Sequence, residues 1–373
     1  TWGKDYPGAA PLETFELGAG TINFNLKEKK ATLKEVKLGD GVKNIPNNFL
    51  SECTNLETLE IGNGITKIGN HAFEHTNITS ITIPDSVTAI GEQAFNRCTS
   101  LTEVNISKNS KLETIGNRAF QQTSITSIAI PDSVKSIGAY AFIMCRHLTS
   151  IKASNLSDRA FYVKDDVLYE DYTENGKSGV ALRFFPLAKW HGAYTIDSRV
   201  TAIGNNSMQQ AEITSVTIPA TVRSINSFAF NSSEITSVTF KGTPSFGTEF
   251  ESGTAGSGIF SNCKKLTTIN NFPKNVKVLP ASLFSGAVRL THFEIPASVT
   301  EIGDTAFSNT GITEITIPSG VSKIGSRVFS TSDPEDENGS AVRSSVKVTF
   351  EKGSKLTSIG SACFAGLKDY TAI

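Results

Sequence analysis

The chain has 373 residues, of which 38% are hydrophobic and 19% charged, an apolar content too high for a disordered chain. Lys and Arg number 35 against 36 Asp and Glu, so the net charge of −1 excludes the broad basic surface of a general nucleic-acid binder. No apolar run approaches the roughly 20 residues that cross a bilayer, and we expect no membrane insertion. The first residues do not form a signal peptide, so a leader is absent, has been removed or is not part of this sequence.

A short unit is repeated along the chain. Its most regular copy is Ile83–Phe95, and each copy closes on a large apolar residue, with a basic period of 22–23 residues and a few longer intervals. The closing residues are Leu50, Phe73, Phe95, Phe120, Phe142, Met208, Phe230, Phe260, Phe284, Phe307, Phe329 and Phe364. These twelve units predict a repeat solenoid, in which each coil buries its apolar faces against its neighbours.

Each unit contains two apolar patterns in chain order. The first alternates apolar and polar residues, as at Ile81 and Ile83, and predicts a short strand with one buried face. A proline ends this strand because it has no N–H and a fixed φ. These prolines are Pro84, Pro131, Pro219, Pro296 and Pro318. The second pattern, as at Val87 and Ile90, predicts another buried crossing, so each coil crosses the core twice.

Glycine usually stands four residues before the closing residue. It occupies Gly69, Gly91, Gly116, Gly138, Gly204, Gly303, Gly325 and Gly360. Pro46 and Pro280 hold the same position in two units, and proline does not adopt positive φ. We therefore expect glycine here because a side chain has no room, not because the backbone is left-handed.

Four of the five cysteines share one repeat position, three residues after the closing residue. They are Cys53, Cys98, Cys145 and Cys263. Alternate coils stand about 10 Å apart, beyond the Cα separation of about 7 Å that a disulfide tolerates, so we expect buried, unpaired thiols. Cys363 replaces the small residue before Phe364 and is also expected in the core.

Metal-binding and cofactor motifs are weak. No CxxC pair is present, and His71 and His75 flank Phe73 at positions that hold polar residues elsewhere, which favours a solvated polar edge over a metal site. The acidic loop Ser332–Gly339 departs from a calcium loop, because Gly is seventh from Asp333 and the twelfth residue is not Glu. We therefore expect neither a metal nor a cofactor.

Three interruptions of the period are predicted. Residues 241–258 and 331–344 form loops, and the Gly- and Ser-rich stretch Ser245–Gly258 indicates a flexible excursion. Residues 156–195 are rich in aromatic side chains and predict a hairpin around the polar segment Thr173–Gly179.

The aromatic residues of this insertion have two interpretations. They anchor an irregular coil to the stack, or they form a binding surface, because Tyr and Trp dominate interface energetics. On the second interpretation the candidate partner-binding residues are Tyr162, Tyr169, Tyr172, Phe185, Trp190, His191 and Tyr194.

The repeated unit L-x-x-I-x-I-P-x-x-V-x-x-I-G-x-x-A-F-x-x-C closely resembles the BspA-like (treponemal-type) leucine-rich repeat over roughly residues 33–364. The insertion also resembles a variant coil of that family at Phe161–Tyr169, and departures include Asp197 for Pro and Met208 for Phe. The resemblance implies a right-handed, β-rich leucine-rich-repeat superhelix of about twelve coils of 22–23 residues, with short strands and irregular turns. A strand pattern at Phe15 and Leu17 further predicts an N-terminal cap over residues 1–31, ahead of a solenoid over 32–373.

The same resemblance implies an exported or surface-attached bacterial protein whose relatives are often linked to adhesion. We therefore expect a non-enzymatic cell-surface or secreted protein, monomeric, that binds an extracellular protein or glycan. One alternative is a structural spacer that presents another domain. A remote alternative is a glycan hydrolase using Asp165, Asp166, Glu170 or Asp171, although a hairpin turn supplies no obvious cleft for a carboxylate pair.

Overall fold

The structure is a computed structural model that describes residues 12–20, 22, 31–153, 161–174, 176–247, 256–331, 345–367 and 369–372. Over these residues the regular structure consists of 29 strands without an α-helix. The chain divides into two compact units, Thr1–Asp166 and Val167–Ile373, and each is a β-solenoid. The predicted repeat solenoid is confirmed.

The first unit contains thirteen described strands. They are β1 Thr14–Gly20, β2 Glu35–Val42, β3 Asn44–Ile45, β4 Thr58–Ile61, β5 Lys67–Ile68, β6 Ser80–Ile83, β7 Ala89–Ile90, β8 Glu103–Ile106, β9 Thr114–Ile115, β10 Ser127–Ile130, β11 Ser136–Ile137, β12 Ser150–Ala153 and β13 Phe161–Lys164. The predicted strand at Phe15 and Leu17 is confirmed, since β1 pairs in parallel with β2. Most of the remaining residues of the predicted cap lie outside the described residues.

The second unit contains sixteen described strands. They are β14 Val167–Glu174, β15 Lys177–Phe184, β16 Ala193–Thr195, β17 Val200–Ile203, β18 Ser215–Ile218, β19 Ser224–Ile225, β20 Ser237–Phe240, β21 Ser245–Phe246, β22 Thr268–Asn270, β23 Val278–Leu279, β24 Glu301–Ile302, β25 Glu314–Ile317, β26 Lys323–Ile324, β27 Ser345–Phe350, β28 Ser358–Ile359 and β29 Asp369–Ala372. The predicted loop over 331–344 lies outside the described residues from 332 onward.

Each regular coil places one strand in each of two parallel ladders, as the two apolar patterns predicted. In the first ladder β6 pairs with β8, with Ile81 opposite Val104. In the second, the two-residue strands β3, β5, β7, β9 and β11 follow one another. Apolar residues of both strands point inward because side chains alternate along a strand, and β6 ends immediately before Pro84.

A third ladder, which the sequence did not predict, runs through the turn that carries the closing residue. In the coil of Phe95, the N–H groups of Gln93, Phe95 and Arg97 donate to carbonyl oxygens of the next coil at 2.8, 2.8 and 2.9 Å. The same three donors recur in the other regular coils, always directed at the following coil. We call this the turn ladder.

In the regular coils the turn ladder accompanies two left-handed residues, one two positions before the closing residue and one two positions after it, except that the coil of Phe329 has only the first, Arg327. Gln93 has φ 54° and Arg97 φ 59°. Two positions before the closing residue, the left-handed residues form a column of Asn48, His71, Gln93, Arg118, Tyr140, Asn206, Phe228, Gly258, Ser282, Thr305, Arg327 and Ala362. Two positions after it, they form a second column of Glu52, His75, Arg97, Gln122, Met144, Gln210, Ser232, Asn262, Gly286, Asn309 and Gly366.

The closing residues form the centre of the core. Phe95 and Phe120 are fully buried and stack with ring centroids 5.3 Å apart and planes within 2°. In the second unit Phe307 and Phe329 stack at 5.9 Å and 3°. A stack of this kind passes from coil to coil, so each closing residue buries its two faces against its neighbours.

The steric explanation of the repeat glycine is confirmed. A Cβ on Gly91 would lie 2.6 Å from the backbone nitrogen of Asn70, and Gly116 has an equivalent clash at 2.5 Å with Glu92. Neither glycine has positive φ. Glycine stands here because adjacent coils approach closely.

The cysteines are confirmed as free, buried thiols. Cys98 donates from Sγ to the carbonyl of Phe73 at 3.1 Å and lies 3.3 Å from Thr76 Oγ1. Cys145 and Cys263 make the same bond to Phe120 and Phe230, so these three thiols each bridge to the preceding coil. Burial raises the pKa of Cys98 and of Cys145 to about 11, against hydrogen bonds from Thr76 and Thr123 that lower it. Burial likewise raises the pKa of Cys263 to about 12.

Both strand ladders are interrupted near residues 266–296 in the second unit. One sheet ends at β22 and another ends at β21, while separate sheets begin at β23 and β25. The strand predicted before Pro296 is therefore wrong, because residues 291–296 form no strand. Phe272 lies 5.0 Å from Phe293 and 5.5 Å from Phe246, ring centroid to ring centroid, and we attribute the separation of the coils to these bulky rings.

The predicted excursion over Ser245–Gly258 is shorter than expected. Ser245 and Phe246 form β21, which pairs with β19, and Gly258 belongs to the turn ladder. Residues 248–255 lie outside the described residues.

Candidate binding surface

The predicted hairpin is confirmed in β14 and β15. The strands pair antiparallel from Leu168 opposite Phe184 to Glu174 opposite Lys177, with a bulge after Leu168. The turn is tighter than the polar segment suggested, since Gly176 at φ 75° lies between the strands. β15 then pairs in parallel with β17 and joins the second ladder.

Tyr172 anchors the hairpin to the stack. Its ring is 7% exposed and packs against Ala181 and Ala202. Its hydroxyl lies 3.2 Å from Thr201 Oγ1, and Arg223 Nη2 donates to that hydroxyl at 3.4 Å and to the carbonyl of Ser178 at 3.0 Å. The side chain of Tyr172 thus packs inside the solenoid and does not form part of the outer surface.

Tyr169 and Phe185 are also interior. They are 2% and 0% exposed. The N–H of Phe185 donates to the carbonyl of Ser207 at 2.9 Å, the bond that a closing residue makes in the turn ladder. Phe185 is therefore the closing residue of an irregular coil. Its spacing of one repeat period from Met208 indicates this role in the sequence alone.

The accessible part of the insertion is a corner that follows this coil. Trp190 is half-buried and its indole packs on Tyr194 at 5.7 Å between centroids, while Tyr194 meets Phe185 edge-on at 4.8 Å. Lys189 Nζ lies 5.3 Å from the centre of the Trp190 ring. His191 is exposed. We call Lys189, Trp190, His191 and Tyr194 the Trp190 corner.

The corner has a polar rim and one unused donor. His191 Nδ1 lies 3.0 Å from Glu212 Oε2, with both side chains about half exposed. Among the residues that the structure describes, the indole N–H of Trp190 has no acceptor. That N–H is buried, so a ligand would meet the ring itself, beside the cation of Lys189 and the carboxylate of Glu212.

Tyr162, the remaining candidate, lies in β13 of the first unit and is half-buried. Of the seven candidates, Tyr169, Tyr172 and Phe185 act as anchors because burial removes them from the surface. Binding through Trp190, His191 and Tyr194 remains a prediction.

The carboxylates named for hydrolysis do not form a pair in the hairpin. Glu170 accepts from Arg183 Nε at 3.0 Å in a largely shielded ion pair. Glu170 and Asp171 are consecutive on β14 and therefore point to opposite faces. Burial raises the pKa of Asp171, against an attraction to Arg199 that lowers it. In the first unit, Asp166 accepts from Ser150 Oγ at 2.8 Å.

The histidines near Phe73 lie on the predicted polar edge. His71 Nδ1 is 2.6 Å from Glu74, and His75 Nδ1 is 2.8 Å from Glu52. In the described part of the chain, no three His, Cys, Asp or Glu side chains are placed to hold a metal ion. No helix there is long and apolar enough to cross a membrane.

Comparison with known proteins points to one family. The sequence model described as "BspA type Leucine rich repeat region" matches residues 21–149 and 201–334, in six copies. No curated protein sequence matches the chain.

Solved structures share the fold at low sequence identity. A leucine-rich cell surface protein from Faecalibacterium prausnitzii is 23% identical, with a TM-score of 0.57, over 95% of this chain and 88% of its own. A leucine-rich repeat protein from Bacteroides ovatus is 21% identical, with a TM-score of 0.54, over 93% and 83%. The pneumococcal vaccine antigen PcpA is 15% identical, with a TM-score of 0.62, over 93% and 89%.

Proposed function

Because the chain belongs to the BspA-type leucine-rich repeat family, we propose that it is a non-enzymatic binding protein at the surface of a bacterium or secreted from it. Its partner is an extracellular protein or glycan. The similar protein from Faecalibacterium prausnitzii is described as a cell surface protein, which supports this location.

The observation that carries the proposal is the Trp190 corner. Elsewhere the outward positions of the first ladder are polar or charged, as at Ser80 and Thr82 of β6 and Lys152 of β12. The corner instead presents a half-buried indole ring that packs on Tyr194 and lies beside Lys189. Trp is the residue type most enriched at the energetic centre of interfaces, and its ring also stacks on sugars.

The test is surface-plasmon binding of the purified chain to fibronectin, fibrinogen, laminin, mucin and bacterial glycans. We expect one class of partner to bind and Trp190→Ala to weaken that binding by about 30-fold, as for an interface residue that costs about 2 kcal/mol. Trp190→Phe keeps an aromatic ring, so it should weaken binding less than Trp190→Ala if stacking on the ring carries the affinity.

Lys152→Ala, an exposed change on β12 of the first unit, serves as the matched control and leaves affinity unchanged. Binding that Trp190→Ala does not alter contradicts the assigned surface. Absence of binding across the whole panel contradicts the function itself and favours a spacer.

A further inference from the structure

The interruption of the second ladder leaves a groove between β21 and β23. It has a volume of 540 Å³, within the range of about 300–1,000 Å³ usual for ligand pockets. Its walls include Arg223, Pro244, Ser245, Phe246, Lys277 and Val278. We call it the β21–β23 groove, and it lies within the second unit.

One wall carries unused acceptors. In the preceding coils, the carbonyl of Ile203 accepts from Asn226 and that of Ile225 accepts from Gly247, at 2.9 and 2.8 Å. The carbonyl of Arg223 likewise accepts from Ser245 at 2.8 Å. The equivalent carbonyls of the next coil, those of Pro244 and Phe246, accept no backbone N–H among the described residues. The chain from Pro244 to Phe246 is therefore a strand edge, with these two acceptors directed into the groove.

The opposite wall carries unused donors. In the next coil, the N–H groups of Thr300 and Glu301 both donate to the carbonyl of Lys277. The equivalent N–H groups of Lys277 and Val278 would donate toward β21, but within the described chain they have no acceptor. The two walls thus offer the complementary halves of a parallel ladder, without the strand between them.

The sequence encodes this interruption. In the regular coils the residue at the glycine position donates its N–H to the preceding coil, as Gly91 does to Ile68 at 2.9 Å. Pro280 holds that position after β23 and has no N–H to donate. Pro46, the other proline at this position, follows β3, the first strand of its ladder. A proline here marks a coil that starts a ladder.

The charge and polarity of the groove define its occupant. Lys277 and Arg223 line it and no carboxylate does. Val278 is 47% exposed, an unusual value for a large apolar residue of this chain, and Phe246 beside it is half-buried. The lining therefore favours an extended segment with an acidic side chain and an apolar one.

We propose that the β21–β23 groove binds an extended acidic segment of a partner protein, which adds as a parallel strand between β21 and β23. Its N–H groups donate to the carbonyls of Pro244 and Phe246, and its carbonyls accept from Lys277 and Val278. One carboxylate lies near Lys277 and Arg223. This site is separate from the Trp190 corner, so it does not rest on the proposed function.

The test uses the full chain and the synthetic peptide acetyl-Thr-Val-Glu-Val-Thr-Val-amide. Two matched peptides accompany it, one with Lys in place of Glu and one N-methylated on alternate amides so that it cannot complete a ladder. Affinity is measured by fluorescence anisotropy of labelled peptides. Hydrogen exchange followed by NMR reports on the amides of Lys277 and Val278.

We expect the acidic peptide to bind and to slow exchange of these two amides by about tenfold. The lysine and N-methylated peptides bind at least about tenfold more weakly. Lys277→Gln removes only the charge, whereas Lys277→Pro also removes the N–H, so binding falls further in the second variant. Lys352→Glu, on an exposed loop of the same unit, and Trp190→Ala leave peptide binding unchanged.

Thermal unfolding of each variant verifies that it is folded. Absence of binding by the acidic peptide overturns the proposal. Equal binding of all three peptides overturns it as well, because neither charge nor backbone pairing then contributes. Replacement of residues 248–255 by a short Gly-Ser linker must not raise affinity, since an increase would make that segment of the chain the occupant in place of a partner.

Discussion

Replacing Gly91 by Ala tests the close approach of coils directly. The added Cβ would lie 2.6 Å from Asn70 N, so the coils must separate by about 0.8 Å to reach ordinary contact at 3.4 Å. The bond from Gly91 N to Ile68 O, now 2.9 Å, would lengthen beyond the usual limit of about 3.2 Å. Overpacking costs about 1–3 kcal/mol and a lost backbone bond about 1 kcal/mol.

We therefore expect Gly91→Ala to lower the free energy of unfolding by about 2–4 kcal/mol. The assay is urea denaturation followed by far-UV circular dichroism, with hydrogen exchange to localise the loss to the neighbouring coils. Gly18→Ala is the matched control in the same unit, because nothing lies within 4 Å of its added Cβ. Equal stability of the two variants would refute the steric explanation.

Two further predictions concern the turns and the thiols. Gln93→Gly should raise the free energy of unfolding by about 0.5–1 kcal/mol in urea titrations, because Gln93 is left-handed. Glu92→Gly, at the neighbouring residue, should lower the free energy of unfolding. A change of the same sign in both variants would contradict the prediction. Because folding raises the thiol pKa values, the protonated thiols contribute fully to the free energy of unfolding below pH 9, and this contribution is lost as pH rises toward 11. Changing Cys98, Cys145 and Cys263 to Ala should make the thermal midpoint depend less on pH between pH 9 and 11. The same pH dependence in this variant would exclude the thiols as its source.

Much of the fold follows from spacing. A period of 22–23 residues and inward apolar positions, as at Ile81 and Phe95, predicted the solenoid and its buried column. Pro46 and Pro280 also identified the reason for the repeat glycine, which the clash at Gly91 confirms. These features are visible because each is a local requirement that recurs in every coil.

The left-handed columns were not predictable in the same way. Their positions hold His71, Arg118, Tyr140 and Phe228, side chains without a common preference for positive φ. The hydrogen bonds of the turn ladder impose the conformation, and tertiary contacts override the local tendency. The residue types at these positions therefore do not predict the left-handed conformation.

The binding surface was predicted only in part. Aromatic content identified the insertion correctly, but composition does not distinguish a ring that anchors from one that faces solvent. Phe185 was recognisable from its spacing to Met208, and its burial follows from that role. Trp190, by contrast, has no repeat equivalent, so only the structure reveals its position.

The turn ladder makes each stack polar along its axis. All three N–H groups of a coil point forward along the chain and all three acceptor carbonyls point back, so the peptide dipoles add instead of cancelling. In its turn, every regular coil thus presents N–H donors to the following coil and carbonyl acceptors to the preceding one. A duplicated coil therefore fits wherever it is inserted, provided that it keeps its orientation, and such a scaffold lengthens by tandem duplication without new interfaces.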